Sequence, residues 1–473
     1  MHTCNRNSIV LLIAALAGGL LGCATVTDRL APDESEGAPT GEGKFLWDSS
    51  SASHSNSLPA IGKWWHVFND PTLNSLMSRL ADANPNVAAA LARVDQSFAV
   101  LGITRATKQP TIRGETSGGR RQDSVNNLLF PIATPQYWRY RVGASAAWEL
   151  DLWGRVRGMA KRDTFRAEAE SATYANVLLS LQTSLARQYF AHRSAETELA
   201  LLESARGLRE ENLKLEEARL EFGQGVAADV SRARLQLQES LAAIEAARRG
   251  TGKLLHALAT LTGSLPSELT ALTRSNDVHS VTVPAGLPSD LLVHRPDLLA
   301  ADRQLRAAAA QVGIRRADFL PKITLIGNGG FASLNANNLF EADSLFFDLG
   351  PQVDIPIFGG GVRKAAVAQA RAQWREAAAN YQATFLTAVR EVDDALLDIK
   401  SYTRELEIQR VGVQAAAQTA EDAKARHDAG LGAYSDYLAA EQIRLQNRLR
   451  ENALQSERRI ADVQLIQALG GSW

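Results

Sequence analysis

The chain has 473 residues, with 51 basic against 52 acidic side chains, a formal net charge of −1 and 45% hydrophobic residues. That is enough apolar material for a large folded protein of two or three domains by length. The near-neutral balance excludes the concentrated basic face that nucleic acid would need. Cys4 and Cys23 are the two cysteines and both precede the body, which excludes a disulfide scaffold, a thiolate metal site and a catalytic cysteine there. No stretch reaches the roughly 18 apolar residues of a membrane-spanning helix, which argues against a polytopic inner-membrane protein.

Residues 1–22 read as a signal peptide. A polar start carrying Arg6 is followed by an apolar run from Ile9 to Leu21, ending in Leu20-Leu21-Gly22-Cys23. Charged start, short apolar core and small residue before the cut are what signal peptidases recognise. The ending resembles a bacterial lipobox, which makes Cys23 the acylated first residue of the mature chain. Ala24 follows where lipoproteins retained in the inner membrane often carry Asp, so the implied address is the outer membrane. Up to residue 60 the chain is rich in Ser, Gly, Pro and acids, a composition that cannot bury a core and reads as a tether.

The rest is written twice. Pro85, Gly102, Ile103, Arg105, Pro110 and Gly118 recur as Pro296, Gly313, Ile314, Arg316, Pro321 and Gly329, each 211 residues on. Gly223, Gly225, Asp229 and Gly263 recur as Gly430, Gly432, Asp436 and Gly470, each 207 residues on. Such a period is too long for a solenoid and marks an internal duplication. The expected organisation is therefore 23–60 as acylated N-terminus and tether, 61–264 as first repeat, 265–294 as linker and 295–473 as second repeat. Each repeat holds a short helix, two strands and a long helical hairpin.

Proline is missing between Pro135 and Pro266 and again after Pro356. An interior proline costs a helix about 3 kcal/mol, so these gaps permit very long helices. The pairs Gly223/Gly225 and Gly430/Gly432 punctuate them as C-caps and tight turns. The spacing predicts helices over about 154–222 and 226–262, and over 361–429 and 433–469. At 1.5 Å per residue these span roughly 104 and 56 Å in each copy. Helices after Pro85 and Pro296 are short enough to stack end to end with the shorter hairpin arms. Leu178, Leu181, Leu185, Ala195, Leu199 and Leu202 follow three- and four-residue steps, a coiled-coil seam interrupted at Gln188 and His192.

Between short and long helices the pattern switches to period two. Trp138, Tyr140, Val142, Ala144, Ala146, Trp148 and Leu150 alternate with Arg139, Arg141, Ser145 and Glu149. Leu345, Phe347, Leu349, Val353, Ile355 and Ile357 alternate with Asp348, Gln352 and Asp354, although Pro351 weakens that run. Partner strands are expected over 111–121 and 322–332. Alternation of this kind fits a half-buried strand or a transmembrane strand with apolar-out, polar-in faces and aromatic girdles. Trp138 and Trp148 lie about 33 Å apart along a strand. With barrel tilt that projects to roughly 25 Å, the height of an outer-membrane apolar band, so the membrane reading is preferred and Trp138, Tyr140 and Trp148 are girdle residues. Four strands leave two open edges, which hydrocarbon does not tolerate, so closure needs further chains. Three copies make 12 strands, although the arithmetic alone permits other numbers.

These residues carry a family likeness. The chain resembles the TolC-like outer-membrane channels, and most closely the NodT-type efflux lipoproteins. The likeness rests on 64–71 (Trp-Trp-His-Val-Phe-Asn-Asp-Pro), 148–157 (Trp-Glu-Leu-Asp-Leu-Trp-Gly-Arg-Val-Arg), Arg295-Pro296-Asp297 and Gly313 through Pro321, and runs from about residue 58 to the end. It implies an α+β membrane protein: a homotrimeric 12-stranded outer-membrane β-barrel, four strands per chain, continued by a long periplasmic α-helical barrel. Such proteins are exit ducts of tripartite efflux systems, docked to a periplasmic adaptor and an inner-membrane pump of the RND type. The resemblance further implies a gate near the helical turns, at Asp436 and Asp229, where carboxylates converging on one axis repel and favour a cation between them. Ala439 and His427 depart from the pattern of many relatives, which carry a second acid and a Tyr there. Arg219, Gly223 and Gly225, with Arg426, Gly430 and Gly432, look like adaptor-docking tips.

No His-Glu-x-x-His, Gly-x-Ser-x-Gly, P-loop or dinucleotide fingerprint is present, so no enzyme, cofactor or metal site is expected. The alternatives are the outer-membrane duct of a type I protein secretion system and a periplasmic adaptor. An adaptor would hold one hairpin in a β-rich frame, whereas this chain carries two.

Overall fold

The computed structural model describes residues 62–122, 136–269, 271–272 and 295–471. The signal peptide, Cys23, the tether up to residue 60 and most of the 265–294 linker lie outside the described residues. After a 3-10 turn at Trp64–Phe68, helix α1 runs over Pro71–Ala83, an element the sequence patterns had not separated. Asp70 caps it, its side chain accepting from the backbone N–H of Thr72 and Leu73, and Pro71 stands at its first turn, where a missing N–H costs nothing. Leu73, Leu76, Met77 and Leu80 form its buried face.

Helix α2 follows over Pro85–Ala106. By length and composition it is apolar enough to cross a bilayer, against the expectation that no stretch would be. It buries Val87, Ala90, Val94 and Leu101 at near-helical steps and carries Arg93 and Asp95 at its middle, while its other face leaves Leu91, Phe98, Val100 and Ile103 exposed in the single chain.

Strands β1 (Thr111–Gln122) and β2 (Gln136–Glu149) lead to α3 (Arg155–Glu221) and α4 (Ala227–Leu261). The second copy supplies α5 (Pro296–Ala317), β3 (Lys322–Ser333), β4 (Leu345–Asp354), α6 (Val362–Asp428) and α7 (Tyr434–Ala468). The long helices have 67 residues and the hairpin arms 35, in both copies. Each falls one residue short of the expected bound at each end because those flanking positions form the caps. Gly154 adopts φ 78°, Val226 and Ala433 are extended, and Gly223 and Gly430 turn left-handed. At the start of α3 the Asp151 carboxylate accepts from the N–H of Val156 at 2.9 Å and of Arg157 at 2.8 Å.

The strands form one antiparallel sheet in the order β1-β2-β3-β4. Trp148 lies opposite Leu325, and Tyr140 opposite Gly118 and Ser333. Pro351 is accommodated in β4, opposite Leu325, and β4 has one ladder among the described residues. Ile355 and Ile357 fall beyond the strand, which stops at Asp354 before Pro356.

Two compact units partition the chain. Of the described residues, one unit joins 94–170 to 301–382 and holds the four strands; the other takes 62–93, 171–300 and 383–471. Each therefore draws on both sequence copies. In the second unit Phe68, Leu73, Met77 and Leu80 pack with Leu185, Tyr189, Phe190, Leu258 and Ile466. The Phe68 and Phe190 rings meet edge to face at 5.0 Å. Tyr189 donates its hydroxyl to Asp70 at 2.5 Å, and Trp64 donates its indole N–H to Gln182 at 3.3 Å.

Helix ends meet in the same unit. Asn84, between α1 and α2, donates its amide to the Leu261 carbonyl at 2.8 Å, so the end of α4 abuts the start of α2. Arg295, immediately before α5, donates to the Ala468 carbonyl at 2.8 Å at the end of α7. The end-to-end placement expected from sequence is thus made by one polar side chain in each copy, reading the orphan carbonyls of a helix C-terminus.

Candidate functional site

The two hairpin turns are built alike. Gly223 and Gly430 take φ of 72° and 71°, the left-handed C-cap. The next N–H, of Gln224 or Leu431, donates 2.8 Å back to the carbonyl of Arg219 or Arg426, closing a Schellman turn. A Cβ on Gly225 would stand 3.1 Å from that of Arg219, and on Gly432 3.3 Å from that of Arg426. The two glycines of each turn are thus favoured by the turn itself, one by its positive φ and one by close packing, whereas nothing in the backbone geometry requires an arginine. Above the backbone the turns differ. Arg219 is half-buried and pairs with Glu216 at 3.1 Å, while Arg426 is exposed.

Asp229 and Asp436 occupy the first turns of α4 and α7, where an acid complements the helix dipole. Arg232 holds Asp229 at 3.0 Å; Asp436 is exposed. Beside Asp436 lies a cluster that sequence reasoning missed. The His427 ring stands 5.0 Å from that of Tyr434, which stands 5.7 Å from that of Tyr437. Burial, then the nearby Glu211 carboxylate and Tyr437, push the Tyr434 phenol above its ordinary pKa, and Tyr434 donates to Glu211 at 3.4 Å. Arg209 joins α3 to both shorter arms, donating to the Gln236 carbonyl and to Gln442, each at 2.6 Å. The signal available in sequence was Tyr434-x-x-Tyr437 at helical spacing after the turn, but the cross-helix partners are more than 200 residues away.

In the strand unit, register separates two faces. Ile112, Trp138, Trp148, Leu345, Phe347, Leu349 and Val353 share one face and are exposed, Phe347 at 83% and Leu349 at 73%. Trp138 stacks on Tyr140 at 5.9 Å and 8°, and Trp148 donates its indole N–H to the Lys108 carbonyl at 2.9 Å. All three expected girdle residues thus lie on the apolar face, at its two ends. The other face carries Arg113, Glu115, Arg139, Arg141, Asn328, Asp348 and Gln352. There Arg141 lies 4.3 Å over the Phe346 ring and Ser145 donates to Glu115 at 3.2 Å. A soluble sheet would cover its apolar face; in the single chain that face is exposed and the charged side chains stand on the other. Among the described residues no strand pairs with the outer edges of β1 and β4. Among the described residues no His/Cys/Asp/Glu group is arranged to hold a metal ion.

The comparisons with known proteins fall on the same architecture. The family described as Outer membrane efflux protein matches residues 76–264 and 287–471, one block on each sequence copy. The solvent efflux pump outer membrane protein SrpC of Pseudomonas putida is 30% identical over 456 residues, 96% of this chain and 96% of its own length. The cation efflux system protein CusC of Escherichia coli O157:H7 is 28% identical over 468 residues, 98% of each chain. Among solved structures, the outer membrane protein VceC of Vibrio cholerae superposes with a TM-score of 0.80 at 26% identity, covering 88% of this chain and 99% of VceC. With its duplicated hairpins, open four-stranded sheet and near-complete coverage of these relatives, the chain belongs to the outer membrane efflux protein family.

Proposed function

We propose that the chain is the outer-membrane channel of a tripartite efflux system and that it acts as a homotrimer closing a 12-stranded barrel. The carrying observation is the sheet: among the described residues it has four strands, two unpaired edges, one exposed apolar face and one charged face. In hydrocarbon each unpaired backbone group costs several kcal/mol, so the sheet is stable there only as part of a closed ring. Placing the apolar face outward leaves the polar face lining a water-filled bore. Conduction is passive, with energy supplied by an inner-membrane pump, of the RND type, through a periplasmic adaptor. Asp436 is the better gate candidate of the two acids, because Asp229 is held by Arg232 whereas Asp436 is exposed. The turn arginines, with Gly223, Gly225, Gly430 and Gly432, present the adaptor-docking tips. Cys23 carries the acyl anchor in the outer membrane. SrpC is named for solvents and CusC for cations; one duct design serves different cargoes when selection is made upstream.

The test is purification in detergent followed by native mass spectrometry and planar-bilayer recording. A trimer that conducts, with Asp436→Ala conducting more, is expected. A stable, non-conducting monomer would overturn the reading, and an unchanged Asp436→Ala conductance would remove the gate from that residue. Metabolic palmitate labelling, lost in Cys23→Ala, checks the anchor.

A further inference from the structure

A second polar site lies in the strand unit. Arg162 and Arg166 on α3, Gln311 and Arg315 on α5, and Gln369 and Gln373 on α6 line a cavity of about 260 Å³ together with two alanines. Three guanidinium groups face this space and no carboxylate does. Their counter-charges are spent elsewhere. Arg162 grips Asp163 with two bonds, at 2.7 and 2.8 Å, and donates its third nitrogen to Gln311 at 2.9 Å, so the free forks are those of Arg166 and Arg315; the Asp163 carboxylate is buried and also accepts from Thr104 at 2.7 Å. Arg166 stands 3.6 Å from the same Asp163, and Arg315 stands 3.3 Å from Asp318. Two carboxylates thus serve three cations. Burial, and then the charge of Arg162, hold the Arg166 guanidinium below its ordinary pKa, with Asp163 opposing, and its side chain is 60% exposed at the cavity mouth.

We propose that this cavity binds a phosphate group, carried either by an anionic phospholipid headgroup or by a free phosphate compound. Guanidinium forks match the oxygens of a tetrahedral oxyanion bidentately, and glutamine amides add neutral donors. At about 30 Å³ per water the cavity is larger than a bare phosphate needs and leaves room for a substituent such as glycerol. Arg162 lies about 10 Å along the helix from Arg155, which pairs with Glu149 at the end of β2. On the barrel reading that is headgroup depth at the inner membrane surface; the lipid source rests on that reading and the free-phosphate source does not.

The test uses the full-length protein in detergent, titrated with inorganic phosphate against chloride at equal ionic strength. In parallel, native mass spectrometry follows material from vesicles of phosphatidylcholine with and without phosphatidylglycerol. Arg166→Gln removes the surplus cation. Gln369→Glu, at an exposed position, supplies an internal carboxylate without touching the Asp163 pair. Saturable phosphate binding, about tenfold weaker in Arg166→Gln and weaker still in Gln369→Glu, assigns the free compound. Retained phosphatidylglycerol that both variants lose, without phosphate binding, assigns the lipid. Absence of any preference for phosphate over chloride and for phosphatidylglycerol over phosphatidylcholine overturns the proposal, as does equal binding by parent and both variants. Neither readout depends on conduction, so failure here leaves the duct reading standing.

Discussion

Asp70 is where a single side chain joins most of the second unit's structure. It is fully buried, caps α1 through two backbone N–H groups and accepts the Tyr189 hydroxyl. Burial and then the Asp70 hydrogen bond push the Tyr189 phenol above its ordinary pKa, so it remains a donor throughout the physiological range. Asp70→Ala should cost about 2–3 kcal/mol, whereas Tyr189→Phe, which leaves the cap intact, should cost about 1 kcal/mol; denaturant midpoints distinguish them. His192 makes a pH-dependent contribution. Burial is the main cause that holds its pKa below the ordinary value, opposed by Glu196 and reinforced by Arg193. The folded state therefore binds fewer protons than the unfolded one once pH falls below about 6.5, and stability drops as acid is added through that window. His192→Gln should flatten the acid limb of the thermal-melting profile while leaving the plateau near pH 8 close to that of the parent. None of this was visible in sequence: His192 read only as an interruption in a heptad seam. It is buried because it stands on that same seam, seven residues after Leu185 and three after Tyr189, both fully buried.

At the scale of elements, four left-handed glycines close the four hairpin arms, and they are not equivalent. Around Gly223 and Gly430 a Cβ would meet nothing within 4 Å, so each matters for its φ alone. At Gly263 a Cβ would stand 2.3 Å from the Ala83 carbonyl oxygen, where the end of α4 abuts the start of α2. Gly223→Ala should therefore cost about 1 kcal/mol, and Gly263→Ala more than about 3 kcal/mol because it adds a steric clash at a packed joint. Comparative thermal unfolding of the two variants checks this, and equal losses would mean the joint is not formed as described. Helix lengths and turn positions were legible in sequence because proline absence and glycine pairs are local signals. Helix α1 was missed because its Asp-Pro cap lay inside a phrase read only for its family likeness.

Across the whole molecule, duplication in sequence does not translate into duplicated domains. Each compact unit takes segments from both copies, since β2 pairs with β3 and first-copy helices share a core with second-copy ones. The faces of the sheet make a membrane prediction. Brominated phospholipids should quench Trp138 and Trp148, which are 51% and 38% exposed on the apolar face. Trp64 and Trp65, buried in the other unit, should be spared. Replacing Trp138 and Trp148 together by Phe should abolish most of the quenching; quenching that persisted would place the apolar face away from lipid.

What the sequence determined by itself was everything carried by short-range chemistry: the duplication, the spans of the long helices, the alternation of the strands and the left-handed turns. These follow from proline's missing N–H, glycine's missing Cβ and the two periods of side-chain direction, all properties of neighbouring residues. What only the tertiary structure decided was which distant groups meet. The order β1-β2-β3-β4, the Tyr434–Glu211 and Arg209–Gln442 links, the helix joints at Asn84 and Arg295, and the arginine-lined cavity all join residues separated by long loops or whole helices. Partners that far apart leave no periodic trace in sequence, because their meeting is set by the packing of whole elements.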